Sequence, residues 1–285
     1  MRLLAILFLC CFSMTALAQD DLLSMLEEEL PDQLATATFK GTRLINGHSI
    51  ETRREGTLDF IISHRFGTLN SGAYNLWGLD NANIRFGLEY AVTDRFTLAL
   101  GRSSFQKVYD GYLKFRLLQQ RKGQRNVPVS VTVLGTTSVK TLKRFDGFEP
   151  SFADKLANTG QVLIARKMND KLSLQLMPTY VHYNLIEANE SANDVLAVGF
   201  GGRMKVSKQV TINAEYYYQV SDKGSQYNDA IALGVDIETG GHVFQLQFTN
   251  ATAMIERGFV GETTNDFFGG DIHFGFNISR AFQLK

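Results

Sequence analysis

The chain of 285 residues has little cysteine, proline, tryptophan or net charge, and each shortage excludes something. Its two cysteines, Cys10 and Cys11, sit side by side in an apolar stretch near the start, so neither a disulfide framework nor a cysteine metal site is expected. A balance of 29 Lys+Arg against 29 Asp+Glu provides no phosphate-neutralising surface, which sets nucleic acid aside as a partner. After Gln19 no apolar run reaches the roughly 18 residues of a membrane helix, so the chain is either soluble or crosses a bilayer as strands. What is plentiful is 21 Phe, 10 Tyr and 25 Gly, the usage of strands and tight turns. The length suits one large all-β domain.

Met1 and Arg2, the apolar stretch Leu3 to Phe12, and Ala16-Leu17-Ala18 before Gln19 together read as a secretory signal peptide over 1–18. Cleavage there removes both cysteines. Residues 20–30 have the spacing of a short amphipathic helix ending at Pro31. Between Thr38 and Thr52, Asn46-Gly47 sits between Leu44-Ile45 and Ser49-Ile50 and predicts a type I′ hairpin turn. The segment 19–55 has three possible places: inside a lumen, in the periplasm as a docking arm, or packed beneath a barrel.

From Gly56 onward the periodicity changes to two. Ile84, Phe86, Leu88, Tyr90 and Val92 share one face while Arg85, Gly87, Glu89 and Ala91 share the other, a division that a helix would scramble. The same alternation recurs along the chain, and counting each segment once predicts about twelve strands in 56–285. Short turns at 93–95, 121–126, 169–170, 207–208 and 238–241 alternate with longer links, the asymmetry of outer-membrane barrels. Periodicity alone does not separate such a barrel from a soluble one, but the non-apolar faces are mixed Gly, Ala, Thr, Asn and Gln with a few charges, as in a polar lumen. Phe66, Tyr90, Phe96, Tyr180, Tyr216, Tyr218, Phe248 and Phe282 fall near segment ends, where interfacial girdles form. The expected fold is therefore all-β, a closed antiparallel transmembrane up-and-down β-barrel of about twelve strands with a short N-terminal segment. Pro178, inside the Leu172 to Tyr183 segment, predicts a bulge, because a closed barrel has no edge strand to hold a proline.

The stretches TFKGTRLINGHSIET (38–52) and LDFIISHRFGTLNSGAYNLWGLDNANIRFGLEYAVTDRFTLALGRSSFQK (58–107) resemble an uncharacterised family of Gram-negative outer-membrane β-barrels, a domain of unknown function. The resemblance is dense over 38–110 and is one of strand rhythm beyond. It implies the outer membrane as location and a barrel as fold, and no activity. Such barrels commonly finish on an aromatic residue read by the assembly machinery, whereas here Phe282 precedes Lys285 by three positions.

Chemistry is sparse. His64 and His182 belong to the lipid-facing register, His242 to a turn, and His48 to the Asn46-Gly47 turn; His273 faces the lumen without a partner at metal-ligand spacing. Ser63 and His64 are adjacent on a strand and point to opposite faces, so they make no nucleophile and base pair. No catalytic residue, cofactor or metal is expected. On the lumen-facing register lie Asp59, Arg65, Arg85, Glu89, Lys114, Arg116, Glu215 and Asp236. These charges either pair with one another and with the N-terminal segment, or line a narrow path in which Arg65, Arg85, Lys114 and Arg116 favour anions. The functional expectation is a non-enzymatic channel or solute-binding barrel, the alternative a structural or partner-docking barrel with a plugged lumen. Expected partners are outer-membrane lipid, the barrel assembly machinery, and a small anionic solute or a periplasmic protein.

Overall fold

A computed structural model describes residues 32–186 and 193–284. The signal peptide and the short helix expected at 20–30 lie outside them. Twelve strands close into a barrel: β1 (Thr57–Thr68), β2 (Ala82–Thr93), β3 (Phe96–Ser103), β4 (Val108–Leu118), β5 (Ser130–Lys140), β6 (Leu156–Lys167), β7 (Leu172–Tyr183), β8 (Asp194–Lys205), β9 (Val210–Gln219), β10 (Ala230–Thr239), β11 (His242–Thr249) and β12 (His273–Gln283). Each pairs antiparallel with its neighbours in sequence, and β12 returns to β1. Closure leaves no strand edge, which a hydrocarbon environment demands.

The barrel is apolar outside and polar inside, the reverse of a soluble domain. Phe86 is 45% exposed, Leu98 40%, Phe115 41% and Ile212 44%, all on the outer face, whereas Asp59, Arg65, Glu89 and Lys114 are buried on the inner one. Aromatic residues mark the two rims. At the long-loop ends Phe274 stands 5.7 Å from Phe66 and 5.6 Å from Phe248, joining three strands in one band. Tyr90, Phe96 and Phe282 occupy the short-turn ends.

Register departures occur between Ala91 and Thr93, between Arg116 and Leu118, and between His273 and Gly275. The bulge expected at Pro178 is absent. Pro178 pairs with Val198 in an unbroken register toward β8. Toward β6 the ladder lapses after Gln161↔Thr179 and resumes at Ile164↔Leu176 without a shift. The missing N–H is thus accommodated by a local gap on one side only, and no extra residue is needed.

The alternation of Val127, Val129, Val131 and Val133 predicts a strand from Val127, but β5 begins at Ser130 and runs on to Lys140. Arg121–Lys122, expected to be turn, instead pairs with Gln33–Leu34 in a two-stranded ribbon at the short-turn end. The Asp32 carboxylate lies 3.4 Å from Arg121, fixing where the N-terminal segment meets the barrel.

Candidate functional site in the barrel lumen

From that ribbon the chain turns inward, and residues 38–50 are nearly all buried within the lumen. A small hairpin forms there, but its turn lies one residue earlier than expected. Arg43 bridges to His48 and the Leu44 N–H donates to the Gly47 carbonyl at 2.8 Å, so Ile45 and Asn46 occupy the turn centre. Gly47 has no positive φ. Its service is room: a Cβ there would collide with the Tyr217 hydroxyl. Gly201 similarly leaves the space that Leu44 fills.

The hairpin joins no sheet of the barrel. Its backbone is satisfied instead by side chains of the wall, as buried N–H and C=O groups require. The Glu215 carboxylate accepts from three successive N–H groups, those of Ile45 (3.2 Å), Asn46 (2.8 Å) and Gly47 (3.2 Å). Gln175 acts as a surrogate peptide, accepting from the Ile50 N–H at 2.9 Å and donating to the His48 carbonyl at 2.7 Å. Lys114 Nζ donates to the Glu51 carbonyl at 2.6 Å and the Thr42 carbonyl at 3.3 Å. Gln245 and Asn277 each donate at 3.0 Å, to the carbonyls of Leu44 and Ile45. Arg203 donates to the carbonyls of Ala37 and Thr38 at 2.7 and 2.8 Å.

A second segment enters from the opposite end. The link between β11 and β12 folds inward, and its one turn of helix, α1 (Glu256–Gly261), is buried throughout. The two insertions meet: Glu256 Oε1 lies 3.2 Å from His48 Nε2 and 3.3 Å from Arg43 Nη1. Burial and the neighbouring Arg43 push the His48 imidazole down to about 4, the contact with Glu256 opposing them only in part. Against its own burial, Glu256 is held down to about 2 by His48 and Arg43. Tyr112 stacks edge-on against His48 at 4.5 Å, lies under Arg43 and donates its hydroxyl to Glu89.

The lumen is thus two-sided. Against β6 to β9, Phe39, Leu44 and Ile50 of the hairpin and Phe259 and Val260 of α1 pack with Met177, Val181 and Tyr217 as an apolar core. Toward β1 to β5 most buried side chains are charged or polar, Asp59, Arg65, Arg85, Glu89, Asp110 and Lys114 among them, beside a small cluster of Ala99, Tyr112 and Leu134. Of the eight lumen-facing candidates, Asp59, Arg65, Arg85, Glu89, Lys114, Glu215 and Asp236 are buried on the inner face. Arg116 is only half-buried at the short-turn rim, where it donates to the Asp94 carbonyl at 2.7 Å.

The four basic candidates do not converge on one anion path. Arg65 donates to the Asn46 side chain at 2.6 Å, Arg85 pairs with Asp110 at 2.5 Å, Lys114 holds the hairpin and Arg116 stands apart. Asp59 pairs with Arg53 at 2.6 Å and Asp236 accepts from Gln245 at 3.0 Å. Sequence reasoning missed Asp110 and Tyr112, which share the inward parity of Lys114 but precede the apolar alternation of Leu113, Phe115 and Leu117 from which that strand is read. It also read His48 as a turn residue, and Arg43, Glu256, Gln175 and Arg203 went unnoticed. Nothing in the non-periodic stretch around Glu256 signals burial. His273 is buried as expected from its register, but it has partners: Nδ1 meets the Phe66 carbonyl at 2.7 Å and Nε2 the Asn265 side chain at 2.8 Å. His242 opens β11.

The chain is similar in structure to the NanC porin at 8% identity, covering 80% of this chain and 99% of the porin with a TM-score of 0.48. An outer membrane channel from Pseudomonas putida F1 is similar at 11% identity over 86% of this chain and 100% of the channel, with a TM-score of 0.48. The outer membrane protein Omp33 of Acinetobacter baumannii is similar at 9% identity over 80% of this chain and 99% of that protein, with a TM-score of 0.44. No curated protein matches the sequence. The family model described as membrane bound beta barrel domain, DUF5777, matches residues 39–282, which takes in both the lumenal hairpin and all but the last residue of the final strand, and the chain belongs to that family.

Proposed function

We propose that this protein is an outer-membrane barrel without enzymatic chemistry that is shut at rest by its own N-terminal hairpin and conducts small solutes when the hairpin leaves. The observation that carries this reading is how the hairpin is held. Its backbone rests on the side chains of Glu215, Gln175, Lys114 and Arg203, while the twelve-strand ladder closes without it. Such a segment can depart at the expense of its own contacts and leave the wall intact. The alternation of short turns and long loops supports the outer membrane, with the short-turn end toward the periplasm. Lipid on the apolar face and the assembly machinery that inserts barrels are the partners this placement implies.

A second reading is favoured by the ribbon between Gln33–Leu34 and Arg121–Lys122, which displays the arm at the short-turn end, within reach of a periplasmic protein. Under it the lumen stays shut and the barrel serves as a dock. Planar-bilayer recording separates the two. The proposed channel is silent as the full chain and shows discrete openings once residues 32–51 are removed; silence of the folded, shortened barrel would refute conduction and leave the dock.

A further inference from the structure

The long-loop end holds a cavity of about 300 Å³ above α1, separate from the hairpin contacts. That volume is at the small end of ligand pockets. Its lining is amphipathic: Leu142, Leu156 and Leu185 supply apolar surface, and Lys140, Lys155 and Arg257 supply positive charge. Counting every charged lining residue, four cations face three carboxylates. Two cations are already matched, Arg144 by Asp146 at 2.5 Å and Arg257 by Glu262 at 2.6 Å. Asp154 caps the Ser151 N–H at 2.8 Å. Lys140 and Lys155 have no ion pair among the described residues. They are held as neighbours by the Lys140 N–H donating to the Lys155 carbonyl at 3.0 Å. In the floor, Arg257 Nε is buried without a hydrogen-bond partner, although the same guanidinium bonds Glu262 and lies over the Tyr183 ring at 5.2 Å.

We propose that this cavity binds a small carboxylate with an apolar body, its negative end at Lys140 and Lys155 and its hydrocarbon against Leu142, Leu156 and Leu185. Two unmatched ammonium groups beside an apolar wall favour an anion over a neutral or cationic molecule of the same shape, and a longer hydrocarbon over a shorter one. The site is complete in the closed barrel, so it does not depend on the hairpin ever leaving.

The test is binding of hexanoate to the full chain in lipid nanodiscs, followed by ligand-observed NMR, with hexylamine, acetate and inorganic phosphate as comparison probes. Hexanoate binds saturably, about tenfold or more tighter than acetate, while hexylamine does not compete. Lys140→Gln with Lys155→Gln weakens hexanoate by about tenfold or more, and Lys140→Arg with Lys155→Arg retains it. Lys171→Gln, at the opposite end, has no effect. Retained heat-modifiable gel mobility certifies each barrel as folded. Equal binding of hexanoate and hexylamine, indifference to the double Gln change, or no saturable binding would overturn the proposal. Equal binding of acetate, phosphate and hexanoate would overturn it too, by removing the apolar half of the site.

Discussion

Replacing Glu215 by Ala removes the acceptor shared by the N–H groups of Ile45, Asn46 and Gly47 and strands three buried donors at the hairpin tip. A hydrogen bond to a charged group contributes roughly 1.5–3 kcal/mol, and each donor left unpaired in the interior costs about 1–3 kcal/mol. The three share one carboxylate and water can follow the lost side chain, so the seated hairpin should lose about 4 kcal/mol, the range seen when one partner of a buried charge contact is removed. At about 1.4 kcal/mol per decade, the unseated population rises about a thousandfold. Thr42, 3% exposed and inside the lumen, provides the reporter once changed to Cys. The native cysteines lie only at positions 10 and 11, so the barrel expressed without residues 1–18 carries a single thiol. Maleimide labelling of Thr42→Cys should accelerate by about that factor when Glu215→Ala is added, while gel mobility still reports a closed barrel. Glu215→Gln, which keeps one acceptor oxygen, should fall between. Unchanged labelling in a folded Glu215→Ala barrel would refute the reasoning, because it would mean that the carboxylate does not hold the hairpin.

Gly47→Ala should unseat the hairpin by about 1–3 kcal/mol through collision with the Tyr217 hydroxyl, and Tyr217→Phe should restore part of the loss; both are read in the same labelling rate. The contact between His48 and Glu256 should loosen in acid. His48 is lowered from 6.5 to about 4, so the unseated hairpin binds the extra proton first and seating weakens as pH falls from 6.5 toward 4; Glu256, lowered from 4.5 to about 2, continues the loss below 4.5. The protection of the hairpin amides, their intrinsic exchange rate divided by the observed one, should therefore fall on acidification, and His48→Phe should abolish the upper part of that fall. Asp110→Ala leaves Arg85 buried and unpaired and should destabilise the barrel by about 3–5 kcal/mol in urea unfolding, an effect that Arg85→Met in the same chain relieves. On the outer face, Leu100→Arg, deeper in the wall than the rim aromatics, should cost about 2–4 kcal/mol in a bilayer, and a null effect there would contradict the lipid-facing register.

The wall was legible because a lipid-facing barrel must write its geometry into period two: Ile84 to Val92 had to place apolar groups out and Arg85 and Glu89 in. Its limits were less so. Strand β5 begins only at Ser130, after the valine alternation of 127–133 has started, and reaches Lys140 past Gly135 and Thr137, whose outward side chains carry no apolar signal. The interior was legible in parity but not in partnership. Nothing local to Glu215 or Gln175 says that each will serve the backbone of a hairpin 125 or more residues away. His48 and Glu256 meet from opposite ends of the barrel, a contact made by two insertions with no periodicity to read. Pro178 shows the converse, a local rule answered by a gap in one ladder where a bulge was expected.

The claim that the hairpin is what closes the lumen is tested most directly by locking it. Asn46 Nδ2 reaches Thr249 Oγ1 at 3.2 Å, so Asn46→Cys with Thr249→Cys places two thiols across the hairpin and the wall. In the Glu215→Ala background, where the hairpin unseats, single-channel recording should show silence at every voltage with the disulfide formed, and reduction in the same bilayer should permit openings. Steady conductance of the oxidised, hairpin-locked barrel would contradict the account.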